Sequence, residues 1–242
     1  MGHYLRRGIG WDCPDHQGRH HVVLTTPGND KGHCGGSLLS SRWIITAEHC
    51  DKKNLEAVIG KHPAGQGIRK NIEASDKKKF KDNQHNIYHD LMLIQINNTD
   101  TKYAVTVPLP DRNGCNVPPL HDTFDFVGWM TATWNARTKE KNIFHANKLQ
   151  CGHLEVVVCG TAEEYASSTD LQDYQFQHLL CGMDSKKVCD GCHGDSGSSL
   201  LYGGKLHGVL VMSDDYVCGD TVDFMNICHS EYREWIFKTT GL

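Results

Sequence analysis

The sequence predicts an all-β protein built in two sheet-forming halves, with one helix at its C-terminal end. Three observations carry that reading. Short apolar runs of strand length, rich in β-branched residues, alternate with turn residues over most of the chain. Twenty-four glycines and seven prolines punctuate them, which suits a turn-rich β protein better than a helical bundle. Only the last residues carry apolar side chains at three- and four-residue spacing.

In chain order the expected strands are His21–Thr25, Trp43–Thr46, Leu55–Gly60, Leu91–Ile94 and Tyr103–Val107, then Phe124–Trp129, Leu154–Val158 and Gly208–Met212. From Glu231 onward, Tyr232, Trp235, Ile236 and Thr239 mark one helical face, and Gly241 supplies a stop. The Pro108–Gly114 stretch reads as the linker. We therefore expect a short extension at 1–7, a first β unit over 8–110 and a second over 111–242, with a cleft between the two units as the natural site. The basic run Lys77-Lys78-Lys79-Phe80-Lys81, flanked by Asp76 and Asp82, reads as a solvated loop.

Composition narrows the function classes. At 242 residues the chain can bury a substantial core. A net charge of −4 gives no basis for a nucleic-acid or anionic-membrane partner, and no apolar run reaches the length of a membrane span. Eleven cysteines are many for a cytosolic enzyme of this size, and only Cys189 and Cys192 form a close pair. A disulfide framework in an oxidising, extracellular setting fits better than a zinc site. The odd count leaves at least one cysteine without a partner in the chain. The Asn97-Asn98-Thr99 sequon agrees with secretion, and Met1–Arg7 lacks a hydrophobic signal segment, as a processed form would. No metal site is expected, because His85 and His89 on a strand or loop do not present both rings to one ion. No cofactor is expected either.

The chemistry lies in three blocks. Gly194-Asp195-Ser196-Gly197-Ser198 can expose a serine hydroxyl on a tight turn, Thr46-Ala47-Glu48-His49-Cys50 supplies a base, and Asp90 leads into an apolar run. A serine hydroxyl is a weak nucleophile at neutral pH and needs such a base at hydrogen-bond distance. With Cys34-Gly35-Gly36-Ser37, Gly128-Trp129 and Trp235-Ile236 in matching order, the chain resembles the trypsin/chymotrypsin family across most of its length. That resemblance implies two antiparallel six-stranded β-barrels with a C-terminal helix, and acyl transfer with Ser196 as nucleophile, His49 as general base and Asp90 orienting it. It also implies an oxyanion hole from the N–H groups of Gly194 and Ser196. Bridges Cys13–Cys151, Cys34–Cys50, Cys115–Cys228, Cys159–Cys181 and Cys192–Cys218 follow from the same resemblance, leaving Cys189 over. The implied partners are protein or peptide substrates and protein protease inhibitors, and the implied state is a secreted monomer.

The chain also departs from that family. Asp190 sits where an acid at the pocket floor would attract a substrate Arg or Lys. Ser213, in Val211-Met212-Ser213, replaces a Ser-Trp-Gly wall, and Val222 stands where a glycine is usual and would narrow the pocket. Activation in the family pairs a freed apolar N-terminus with the acid beside the nucleophile, here Asp195, yet Arg7 occupies the position of the buried isoleucine. Glu48 replaces an alanine, and Ser198-Ser199 a Gly-Pro pair. An alternative reading is therefore a silent or zymogen-like homologue that works by binding.

Overall fold

The computed structural model describes residues 5–7, 11–99, 105–112, 114–135, 140–160, 176–183, 195–213 and 221–242. Its first half contributes β3 (His21–Thr25), β4 (Cys34–Ser40), β5 (Trp43–Thr46), β6 (Glu56–Ile59), β7 (Ile68–Asn71), β8 (Lys77–Asp82) and β9 (Ile87–Gln95). These form a seven-stranded antiparallel sheet in the order β7-β6-β3-β4-β5-β9-β8. The second half contributes β10 (Thr123–Asn135), β11 (Glu140–Val157), β12 (Leu179–Met183), β13 (Ser199–Tyr202), β14 (Lys205–Ser213) and β15 (Val222–Asn226). Here β10-β13-β14-β15-β12-β11 returns to β10 through a long β10–β11 hairpin, so six strands close into a barrel. Two short N-terminal strands lie outside that ring. β1 (Leu5–Arg7) pairs with β10, Arg7 opposite Ala132, and β2 (Trp11–Asp12) pairs with β11.

Of the expected strands, His21–Thr25 and Trp43–Thr46 have the predicted bounds, while Leu91–Ile94, Phe124–Trp129 and Gly208–Met212 are the inner parts of longer strands. All five residues of β3 are buried, because the strand is covered on both faces and cannot alternate. The helix spans Ser230–Thr240, with Tyr232 and Ile236 fully buried and Gly241 capping it at φ 79°. Two expectations need correction. The lysine run is not a loop but β8, paired with β9. Phe80 is buried between Lys79 and Lys81, and a register shift there lets one lysine face pair with acids while the aromatic turns inward. Of Tyr103–Val107, residues 103 and 104 lie outside the described residues, and Val105–Val107 is irregular chain tied by a Val107 N–H bond to the Leu38 carbonyl (2.9 Å).

The halves share one core. Val22, Leu38, Ile44, Leu91 and Leu93 of the first sheet pack in a single cluster with Val209, Met225, Tyr232 and Ile236 of the second half. A separate cluster of Phe124, Phe126, Leu154, Leu210, Val222 and Phe224 fills the barrel. The stretch expected as the linker is held near its start: Leu206 N donates to Pro108 O (2.9 Å), and the Arg233 guanidinium donates to Pro110 O (2.8 Å). Among the described residues four bridges are formed, Cys13–Cys151, Cys34–Cys50, Cys115–Cys228 and Cys159–Cys181. Cys189, Cys192 and Cys218 lie outside the described residues. Among the described residues no helix is long and apolar enough to cross a membrane.

Polar groups also sit at the junction. Buried His20 bonds through Nε2 to Ser199 Oγ (2.7 Å), joining the start of β3 to the start of β13. Its neighbour His21 is buried as well. Desolvation pushes the pKa of His20 down to about 4 and that of His21 down to about 3. Both rings are neutral in the fold but take up a proton on unfolding below their ordinary value near 6.5. Stability is therefore lost as pH falls from about 6.5 towards 4, by up to about 1.4 kcal/mol per pH unit for each ring. Urea unfolding at pH 7, 6 and 5 should give this slope, and His20→Gln, which keeps a donor for Ser199, should reduce it to the share of His21.

Candidate active site

His49 sits on a short 3-10 turn, Glu48–Cys50, directly after β5. The Cys34–Cys50 bridge ties that turn back to β4. Pairing of β5 with β9 sets Thr46 opposite Met92 and so brings Asp90, two residues earlier, beside the turn. Asp90 holds the histidine twice. Its Oδ1 accepts from His49 N (2.8 Å), and its Oδ2 accepts from His49 Nδ1 (2.6 Å). With the proton kept on Nδ1, Nε2 is left as a base. Burial alone would lower the His49 pKa, but the Asp90 hydrogen bond and charge, with Glu48 adding to them, raise it above the ordinary value.

A second set of charges fixes the turn from behind. Lys79 Nζ lies 2.6 Å from Glu48 Oε1 and 2.8 Å from Asp51 Oδ2, and Lys77 Nζ lies 2.6 Å from Asp51 Oδ1. Glu48, unusual beside a histidine of this kind, is thus held by Lys79 from β8. Asp90 is in turn steadied by Gln177, whose Oε1 accepts from Asp90 N (2.9 Å). Sequence reasoning missed both Lys79 and Gln177. Gln177 acts across 87 residues of chain, and nothing local in its sequence signals that reach.

Ser196 lies on a turn clamped at four places. Gly35 N donates to Ser196 O (2.7 Å), Gly197 N to Leu210 O (2.7 Å), Ser198 N to Asp195 O (2.9 Å) and Leu210 N to Ser198 O (2.9 Å). Gly197 has φ +84°, and a Cβ there would collide with Thr46 Oγ1 and the Gly35 carbonyl. Thr46 Oγ1 itself donates to that carbonyl (2.8 Å). Cys50 Sγ lies 3.6 Å from Ser196 O, so the histidine turn and the serine turn touch through the Cys34–Cys50 region. Among the described residues Ser196 Oγ makes no hydrogen bond to His49, a looseness common before substrate tightens such a site.

Asp195 is buried, and its Oδ1 accepts from Trp129 N (2.8 Å). Gly128 makes this possible, because any Cβ there would strike the Asp195 carboxylate. Gly194 and Asp190, expected in the oxyanion hole and on the pocket floor, lie outside the described residues. Ser213 and Val222 face each other across the β14–β15 ladder. The Val222 side chain packs in the barrel core with Phe224 and Leu210.

The sequence profile of the trypsin family matches residues 9–236. The chain is 27% identical over 216 residues to snake venom serine proteinase 4a of Crotalus adamanteus, covering 87% of this chain and 77% of that protein. It is 25% identical to the venom serine protease ussurin of Gloydius ussuriensis over 94% of this chain and 93% of ussurin. It is also 27% identical to snake venom serine protease homolog 2A of Craspedocephalus gramineus, over 83% of this chain and 74% of that protein. Human heparin binding protein shares the fold, with a TM-score of 0.66, 20% identity and coverage of 95% of this chain and 94% of that one. With its residues matched from Ile9 to Ile236, this chain belongs to the trypsin family.

Proposed function

We propose that the chain is a secreted serine endopeptidase that hydrolyses peptide bonds of protein substrates through an acyl-enzyme. The observation that carries this reading is the double hold of Asp90 on His49, at 2.8 Å to the backbone N and 2.6 Å to Nδ1. It leaves Nε2 as the free proton acceptor, on a turn that touches the turn of Ser196.

In the proposed reaction His49 Nε2 takes the Ser196 hydroxyl proton as Oγ attacks the scissile carbonyl carbon. The imidazolium that forms is stabilised by the Asp90 carboxylate and returns its proton to the leaving amine. Water, activated by the same Nε2, then attacks the acyl-serine ester and releases the acid with Ser196 restored. The N–H groups of Gly194 and Ser196 are proposed to hold the oxyanion, worth about 3 kcal/mol per donor. Specificity after Arg or Lys rests on Asp190, with Ser213 and Val222 as the walls above it. The Val222 side chain packs into the barrel core, so in this proposal Val222 borders the pocket with its backbone and the expected narrowing is not part of it.

Secretion and freedom from reducing conditions fit the four bridges. A second reading, a zymogen-like or silent homologue acting by binding, is favoured by one feature. Residues 5–7 run as an edge strand on β10, so part of the extension expected at 1–7 is paired into the second sheet.

A serine-directed fluorophosphonate probe separates the two. Stoichiometric, covalent labelling that disappears in Ser196→Ala is expected of the peptidase; a folded, processed sample that takes no label supports the silent homologue. The labelling rate should rise with pH as His49 loses its proton, with a midpoint above about 6.5 because Asp90 holds the pKa up. Asp90→Asn should lower that midpoint and slow labelling by about 10⁴-fold, the scale seen when this carboxylate is neutralised in other Ser-His-Asp triads. An unchanged midpoint would show that Asp90 does not set the base.

A further inference from the structure

We propose that Asn97 carries an N-linked glycan whose first sugar lies in the polar cleft beside it. Asn97-Asn98-Thr99 is the one Asn-x-Ser/Thr sequon in the chain. It follows β9 directly and is anchored on both sides. Ile96 N donates to Arg42 O (2.8 Å) and Thr99 N donates to Ser41 O (3.0 Å), both on the turn between β4 and β5. Between these anchors Asn97 is exposed, and its side-chain amide makes no hydrogen bond among the described residues. Thr99 is buried, and its hydroxyl donates to Asn97 O (3.3 Å). A glycan is attached before folding hides Thr99, so the finished fold has only to leave Asn97 at the surface, and it does.

The cleft suits a sugar. It holds about 200 Å³, and its lining includes Arg42, Lys70, Asn71, Asp76 and Gln95 as well as Asn97 itself. That is below the roughly 300–1,000 Å³ of a drug-sized ligand pocket and fits one ring better than a longer oligosaccharide. Side-chain N–H donors surround a carboxylate acceptor, the mixture that sugar hydroxyls and an N-acetyl group can use. Arg42 and Lys70 form no ion pair among the described residues, which leaves their donors open to the sugar. The later sugars extend into water.

Its position gives the sugar a structural role. β7 and β8 are the outer strands of the first sheet, and no ladder joins them among the described residues. Lys70 and Asn71 belong to β7, Asp76 precedes β8 and Gln95 ends β9, so a sugar seated here bridges those open edges. At about 3.3 Å per residue, the run from Asp90 to Asn97 spans about 20 Å, which keeps the glycan off the triad. Attachment joins Asn97 Nδ2 to the anomeric carbon of a lipid-diphosphate-linked oligosaccharide. The C–O bond to the diphosphate breaks, the lipid diphosphate leaves with the electron pair, and Nδ2 passes one proton to a base of the transferring enzyme. This step rests on the secretion included in the proposed function.

Expression of the full chain behind a signal peptide in a eukaryotic cell tests the site on secreted, disulfide-bonded protein. Intact mass before and after peptide N-glycosidase treatment should show one glycan. Asn97→Gln should lose it, and Asn98→Gln, which preserves an Asn-x-Thr sequence at 97, should keep it. Both variants alter exposed side chains and leave buried Thr99 in place, so folding is not at stake. A secreted parent whose mass the glycosidase leaves unchanged, or a glycan retained in Asn97→Gln, would overturn the site. Hydrogen exchange reads the seating: amides of residues 68–71 and 74–78 should exchange several-fold more slowly in the glycosylated parent than in Asn97→Gln. Equal exchange would overturn the bridging role. Fluorophosphonate labelling should agree within a few-fold between the two forms, and a larger difference contradicts the separation from the triad. A chain glycosylated behind the signal peptide but bare when isolated from its natural source counts against the proposed secretion, not against the site. If neither form labels, the proposed peptidase fails and the glycan result stands.

Discussion

The hydrogen bond from Gly35 N to Ser196 O, 2.7 Å long, is the contact on which the candidate site depends. It joins β4 of the first sheet to the serine turn of the second half, and nothing else in the site could be assembled without that approach. At this seam the approach leaves no room for a side chain on either Gly35 or Gly197. Gly197 meets Thr46 and the Gly35 carbonyl directly, and a Cβ on Gly35 would strike Ser198 and His21. The glycines are therefore a packing requirement here, and only at Gly197, with φ +84°, also a conformational one.

Around that contact the fold supplies rigidity from both sides. β5 and β9 bring His49 and Asp90 together by strand register, so their spacing is set by a ladder rather than by a loop. β14 takes the serine turn through the paired bonds of Leu210 with Gly197 and Ser198. The shared core beneath, from Leu38 and Ile44 to Met225 and Tyr232, keeps the halves from sliding over one another. Each fully buried aliphatic side chain in it contributes about 1.5–3 kcal/mol. Function-bearing groups thus sit on rigid elements at a seam, where a small shift would matter most.

Much of this was legible in the sequence because it is written locally. Strand-length apolar runs gave β3 and β5 their bounds, and the spacing of Tyr232, Trp235 and Ile236 with Gly241 gave the helix. The blocks that carry His49, Asp90 and Ser196 were readable from their residues and order. Other features were hidden because their causes are non-local. The lysines of β8 read as solvated until Asp51 and Glu48, far off in sequence, came to meet them. Gln177 and the His178–His229 stack depend on a segment folding back onto β9 and the helix start. Single-sequence patterns carry no record of such encounters.

The clamp on the serine turn makes a claim that one comparison tests directly: the rate of fluorophosphonate labelling in Gly197→Ala against Gly203→Ala. Both glycines have positive φ, so both substitutions bear backbone strain, but a Cβ on Gly203 meets nothing within 4 Å while one on Gly197 meets Thr46 and Gly35. The account predicts that Gly203→Ala labels within a few-fold of the parent, and that Gly197→Ala slows by about 10²-fold or more, the scale of a misplacement of about 1 Å. Equal rates in the two variants would contradict it, because the seam between the halves would then not be what positions Ser196.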